Sequence, residues 1–236
     1  MNNSDREFRV SRRAALGALP VVALTAAACT SRRSPDEIRK EAGTQTTPAT
    51  PQAAVDALMQ GNARFAESNP QIRDAAEVEI LWTEITSGQT PFAMVLGCAD
   101  SRLAPEIVFD QFVGDIFVVR EAGNIAESPT NLGSLEYGQA VLQAKALMVL
   151  GHSGCGAVQA AFDDAKPGGN IQSIVDVIRT GIVGAKDLDD AIVRNVKAVM
   201  QRVRKGSPLL TEAERRGDFA IVGAFYDIES ARVRLL

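Results

Sequence analysis

Apolar positions follow two rhythms along this chain. Three short runs are apolar at nearly every position: PFAMVLGCA from Pro91, DIFVVREAG from Asp115 and ALMVLGHSGCG from Ala146. Runs of this kind suit strands covered on both faces, as in a parallel sheet. DFAIVGAFYDI and ARVRLL, near the C-terminus, read as two further strands. Elsewhere the rhythm is helical. Leu188, Ile192, Val196, Val199 and Val203 are spaced by four, four, three and four, which predicts an amphipathic helix over 187–205. PQAAVDALMQGNARFAES predicts another, with Pro51 in its first turn and Val55, Leu58, Met59 and Phe65 on one face. Ser128-Pro129 reads as an N-cap followed by a first-turn proline, opening a helix to about Gln143. A further helix is expected from Cys155 to Ala165. Strands that alternate with helices predict an α/β fold, a mostly parallel central β-sheet flanked by helices.

The strand ends carry the reactive residues. Cys98, Asp100 and Arg102 follow the first apolar run, and His152 and Cys155 close the third. In open parallel sheets ligands bind outside the carboxyl ends of the strands, so both clusters are expected at one edge. The chain has three cysteines and one histidine. Taken singly, each has a plain reading: a buried cysteine is a small hydrophobe, and a lone histidine is a hydrogen-bonded residue. Together, two thiolates and an imidazole point to zinc, and three protein ligands leave the fourth position open, as in a catalytic site. Asp100 and Arg102 admit two readings. They are an ion pair that orders the loop, or a switch in which Asp100 either binds the metal or is drawn off it by the planar fork of Arg102.

Charge and composition narrow the function further. The net charge of −4, with no block of like charge, gives no reason to expect a nucleic-acid partner. One tryptophan and two tyrosines are too few for a surface that stacks single strands. The N-terminus is an address. Ser11-Arg12-Arg13 precedes the uncharged stretch 14–28, which is too short to span a membrane and reads as an export signal resembling the twin-arginine type. Cys29 follows three alanines, as in a bacterial lipobox, so it is either a lipid-anchor site or a cysteine beside a plain cleavage site. Residues 30–50 are rich in Ser, Thr, Pro and charge and read as a flexible tether. The expected division is a signal at 1–29, a tether at 30–50 and a folded domain at 51–236, exported to the cell envelope or secreted.

C-x-D-S-R at 98–102, followed by H-x-x-C at 152–155, resembles the β-class carbonic anhydrases. The resemblance extends from about Pro51 to Leu236 and takes in GNARF at 61–65, GQTPFAMVLGCADSR, LEYGQAVLQAKALMVLGHSGCGAV, and SPLL and IVGAFYDIESARV, the last two like the family's C-terminal hairpin region. It implies one Zn2+ per subunit on Cys98, His152 and Cys155, with Asp100 and Arg102 as an orienting dyad and Asp100 a fourth ligand in a closed state. It implies reversible hydration of carbon dioxide to bicarbonate and a proton. It also implies that Gln89, Phe117 and Tyr137 line the substrate pocket across the interface of a homodimer or higher homo-oligomer. Several positions depart from the pattern: Ala99 for serine, Glu121 for asparagine, Ala122 for a bulkier residue, and Val95 where a tryptophan marks the family's bicarbonate side site. Glu121 and Ala122 leave open a hydrolase of carbon disulfide or carbonyl sulfide on the same scaffold. A catalytically silent zinc-binding sensor at the envelope is the reading from a different class. With the single histidine assigned to the metal, the product proton is expected to leave through water, Tyr137, a surface carboxylate or buffer.

Overall fold

The computed structural model describes residues 48–72 and 75–236. The expected signal, Cys29 and the expected tether as far as residue 47 lie outside the described residues. Five strands form one sheet in the order β2-β1-β3-β4-β5: β1 Ala93–Gly97, β2 Ile116–Arg120, β3 Ala146–His152, β4 Ala220–Asp227 and β5 Arg232–Leu235. The first four run parallel, and β5 returns antiparallel to β4. All five residues of β1 and all seven of β3 are buried, which is why their sequences show no alternation.

The alternation is present in the packing. Val95, Met148 and Leu150 face the helix α1 (Pro51–Ala66). Met94, Leu96, Leu147 and Val149 face the opposite layer, which includes α4 (Pro129–Ala140), α7 (Leu188–Gly206) and α8 (Pro208–Arg215). A third cluster, with Val158, Ile178, Ile192 and Phe225, packs beneath Cys98 and Cys155 at the carboxyl end of the sheet. Each predicted helix is present, with trimmed ends. Asp187 caps α7 by accepting from Asp190 N at 2.8 Å. Ser128 caps α4, which stops at Ala140; Val141 is its C-cap, and Gln143 beyond it takes a left-handed φ of 61°. The helix expected from Cys155 is α5, Gly156–Phe162. Four helices were not foreseen: α2 (Ala75–Ser87), α3 (Pro105–Val108), α6 (Gly169–Gly181) and α8. SPLL opens α8 and does not belong to the hairpin.

The GNARF segment has a physical explanation here. A Cβ at Gly61 would lie 1.8 Å from the carbonyl oxygen of Phe109, so α1 meets the crossover backbone with no room for a side chain. Asn62 is buried and makes three bonds. Its Nδ2 donates to Val108 O at 3.1 Å and Ala231 O at 2.9 Å, and its Oδ1 accepts from Val233 N at 2.7 Å. Arg64 Nε donates to Asp110 Oδ2 at 2.6 Å. The segment therefore ties α1 both to the crossover after β1 and to β5. Asn62→Ala would strand three backbone groups, two of them buried, and each such loss is worth about 1–3 kcal/mol. We expect a loss of about 3 kcal/mol in urea unfolding, with the largest gain in hydrogen exchange at β5.

Candidate metal centre

β1 and β3 are parallel neighbours, with Leu96 opposite Val149. Their chains therefore leave the sheet side by side, about 4.8 Å apart. Cys98 follows the last residue of β1, His152 is the last residue of β3, and Cys155 is the N-cap of α5. The turn between the latter two passes through Gly154 with φ 62°, a conformation that favours glycine. The two cysteine Sγ atoms lie 3.9 Å apart. All three ligand atoms lie within 4.8 Å of one another, and all three residues are buried. Among the described residues this is the one such cluster of His, Cys, Asp and Glu.

The donor set fits zinc. Two Zn–S bonds of about 2.3 Å at a tetrahedral angle place their sulfurs about 3.8 Å apart, close to what is found. His152 Nδ1 is 3.0 Å from Ser153 O, to which it donates as the protonated ring nitrogen. That leaves Nε2 as the lone-pair nitrogen, and it is buried with no hydrogen-bond partner. Ser153 is itself fixed to β4: its N–H donates to Tyr226 O at 2.9 Å, and its Oγ accepts from Ile228 N at 3.0 Å.

The thiols titrate as a pair. A hydrogen bond from Cys155, opposed by burial and helped by His152 and the Gly123 and Asp100 backbone, holds Cys98 down at about 4. The same sulfur contact, together with burial, pushes Cys155 well above the ordinary thiol range. The pair gives up its first proton readily and retains the second.

Asp100 sits beside the cluster, with Oδ2 3.9 Å from His152 Nε2. It is gripped by Arg102. Oδ1 accepts from Arg102 N at 3.0 Å and Nε at 2.9 Å, and Oδ2 accepts from Nη2 at 2.6 Å. The Arg102 guanidinium holds this carboxyl well below the usual carboxylate range. Arg102 Nη2 also donates to Gly154 O at 3.2 Å, which links the dyad to the turn between His152 and Cys155.

Sequence reasoning passed over Arg120. Its Nε donates to Cys98 O at 3.0 Å and its Nη2 to Asp100 O at 2.6 Å, so one guanidinium spans the turn that carries both a thiol and the dyad carboxylate. The signal available was a single charge closing an otherwise apolar run. Glu121 accepts from Asn131 Nδ2 at 2.9 Å, so its carboxylate is already engaged. Gln89 is exposed. Phe117 and Tyr137 lie together, ring centroids 6.3 Å apart, but Phe117 is level with Met94 in the sheet. That is four residues short of Cys98, or about 13 Å along a strand. Within one chain the Phe117 backbone is therefore set back from the cluster.

Comparison with known proteins follows the same lines. Residues 93–233 match the family model described as carbonic anhydrase. Carbonic anhydrase 2 of Mycobacterium tuberculosis is 38% identical over 194 residues, covering 78% of this chain and 92% of that protein. The carbonic anhydrase of Mycolicibacterium smegmatis is 37% identical, covering 78% and 93%. One of two tetrameric β-carbonic anhydrases from Sordaria macrospora is structurally similar, with a TM-score of 0.63 at 25% identity, over 78% of this chain and 97% of that one. The Coccomyxa β-carbonic anhydrase in complex with acetazolamide gives 0.61 at 26% identity, over 77% and 86%.

The sulfur contact lowers Cys98 and raises Cys155, so the metal-free thiol pair is expected to carry about one shared proton near neutral pH. Binding of a dication by both sulfurs must expel it. Zinc titrated into the metal-free protein at pH 6, where a water of pKa about 7 keeps most of its protons, is expected to release about one proton, read by calorimetry in buffers of different ionisation enthalpy. Release of two would mean that both thiols are neutral beforehand.

Proposed function

This chain belongs to the β-class carbonic anhydrases and is a carbonic anhydrase, and we propose that Cys98, His152 and Cys155 hold the zinc on which its reversible hydration of carbon dioxide depends. The observation that carries the assignment is the set of three buried ligand atoms within 4.8 Å of one another. When bound, zinc supplies a Lewis acid that lowers the pKa of water from 15.7 to about 7. The remaining roles belong to the chain. Asp100 is ionised at neutral pH, and its Oδ2 faces the cluster with lone-pair capacity beyond the Arg102 bond. There it accepts a hydrogen bond from the reacting water and turns a lone pair of that water toward the carbon of CO2. Arg102 occupies both carboxylate oxygens and keeps Asp100 from taking the open ligand position.

Gln89, Phe117 and Tyr137 belong to the substrate pocket of a second copy in this reading. The place of Phe117 in the sheet, level with Met94, supports it, as does the tetrameric state named for the Sordaria proteins. The engaged carboxylate of Glu121 gives no support to a carbon disulfide or carbonyl sulfide substrate. Export through residues 1–29 and acylation of Cys29 complete the proposal. Support for both is confined to the paired arginines, the apolar stretch and the alanines before the cysteine.

Stopped-flow CO2 hydration by zinc-loaded protein tests the assignment. Asp100→Asn removes the ionised acceptor and is expected to lower kcat/KM about 100-fold, in the range of lost acid–base assistance, with zinc content unchanged. Because the one histidine is in the cluster, kcat is also expected to rise with buffer concentration. A rate indifferent to buffer would require an internal proton carrier.

A further inference from the structure

Helix α7 is seated directly on the carboxyl end of the sheet. A Cβ on Gly151, the residue before His152, would lie 2.6 Å from Val196 Cγ2 and 2.9 Å from Ile192 Cγ2. The buried face of α7 is apolar except at one position. Asn195 is 0% exposed, between Ile192 and Val199 on that face. A buried amide is unfavourable unless it is bonded, so its presence asks for a reason. Its Nδ2 donates to Gly123 O at 2.9 Å, while Oδ1 has no partner. Packing alone would be better served by leucine.

The reason lies at the other end of that bond. Gly123 adopts φ 71°, and a Cβ there would lie 2.5 Å from Ile178 Cδ1, so both conformation and space demand glycine. Its N–H donates to Cys98 Sγ at 3.3 Å. Two hydrogen bonds therefore run in sequence from α7 through one loop residue to a sulfur of the cluster. We propose that Asn195 is a positioning residue for the metal centre. By fixing the carbonyl of Gly123 it holds the Gly123 N–H on Cys98 Sγ, which sets the direction of the thiolate and moderates the charge it donates. The peptide plane that carries this carbonyl is held at its other edge by Asn124 N–H, which donates to Glu121 O at 2.8 Å, so the Asn195 bond completes its restraint. The inference rests on the reading of Cys98 as a metal ligand.

The test uses the full chain loaded with cobalt(II) or zinc. Asn195→Leu fills the same space and completes the apolar face, so a purely structural role would tolerate it. The expected result is a shifted thiolate-to-cobalt charge-transfer band and zinc affinity lowered about tenfold or more in chelator competition. Val199→Ala, on the same buried face, is expected to lower the thermal midpoint and leave both readouts at their wild-type values. Should Asn195→Leu not fold, Asn195→Ala carries the same comparison. An unchanged cobalt spectrum and zinc affinity in the Asn195 variant would overturn the inference, as would equal shifts in the Val199 variant. If the wild-type chain bound neither metal, the ligand assignment itself would fail instead.

Discussion

Everything at the reactive edge depends on the parallel pairing of β1 with β3. Two strands that run the same way as neighbours must deliver their carboxyl ends to the same place. Cys98 and Cys155 are 57 residues apart in sequence, yet their sulfurs are 3.9 Å apart because the sheet register leaves them little choice. An antiparallel pairing would send the same residues to opposite edges. The requirement for burial on both faces follows from the same topology, and it explains why these two strands show no polar alternation.

Strand ends alone do not make a rigid site, because the β1–β3 pairing ends at Leu96 and Val149, short of both cysteines. Around the cluster, groups from other elements take over. Arg120 holds the carbonyls on either side of Ala99, and Gly123 bonds the Cys98 sulfur. β4 holds Ser153, which in turn orients His152. Arg102 reaches from the dyad to the carbonyl of Gly154. Cys98, His152 and Cys155 are therefore each bonded to, or lie within two residues of, a group fixed by a different element. A precise site needs such supporting hydrogen bonds around its ligands.

The sequence shows these layers to unequal depth. The strands are legible because burial on both faces leaves unbroken apolar runs, and the ligand set is legible because the chain has so few soft donors. α8 carried a usable start signal in Ser207-Pro208, and Ser207 Oγ does accept from Leu210 N at 3.2 Å. α6 had no such signal. It begins after Gly168 at φ 73° with no side-chain cap, although Val175 and Ile178 mark its buried face. The four residues of α3 are too few to show a period. Arg120 and Asn195 stayed hidden for a different reason. Both act on backbone carbonyls, and a carbonyl leaves no trace in the identity of the residue that offers it. A polar residue in an apolar run is the only mark such a contact leaves.

The state of Asp100 follows from what holds it. Binding a metal through Oδ2 would require the carboxylate to leave the Arg102 fork, giving up its charge-assisted bonds. The loss is smaller than their sum here, because the Arg102 side chain is 52% exposed and water would replace much of what it surrendered. Protonation would also free the carboxylate, but Arg102 has moved that event well below the usual carboxylate range. At any pH near neutrality the group is therefore both charged and restrained. It lies beside the cluster, with Oδ2 3.9 Å from His152 Nε2, and the Arg102 fork holds it there.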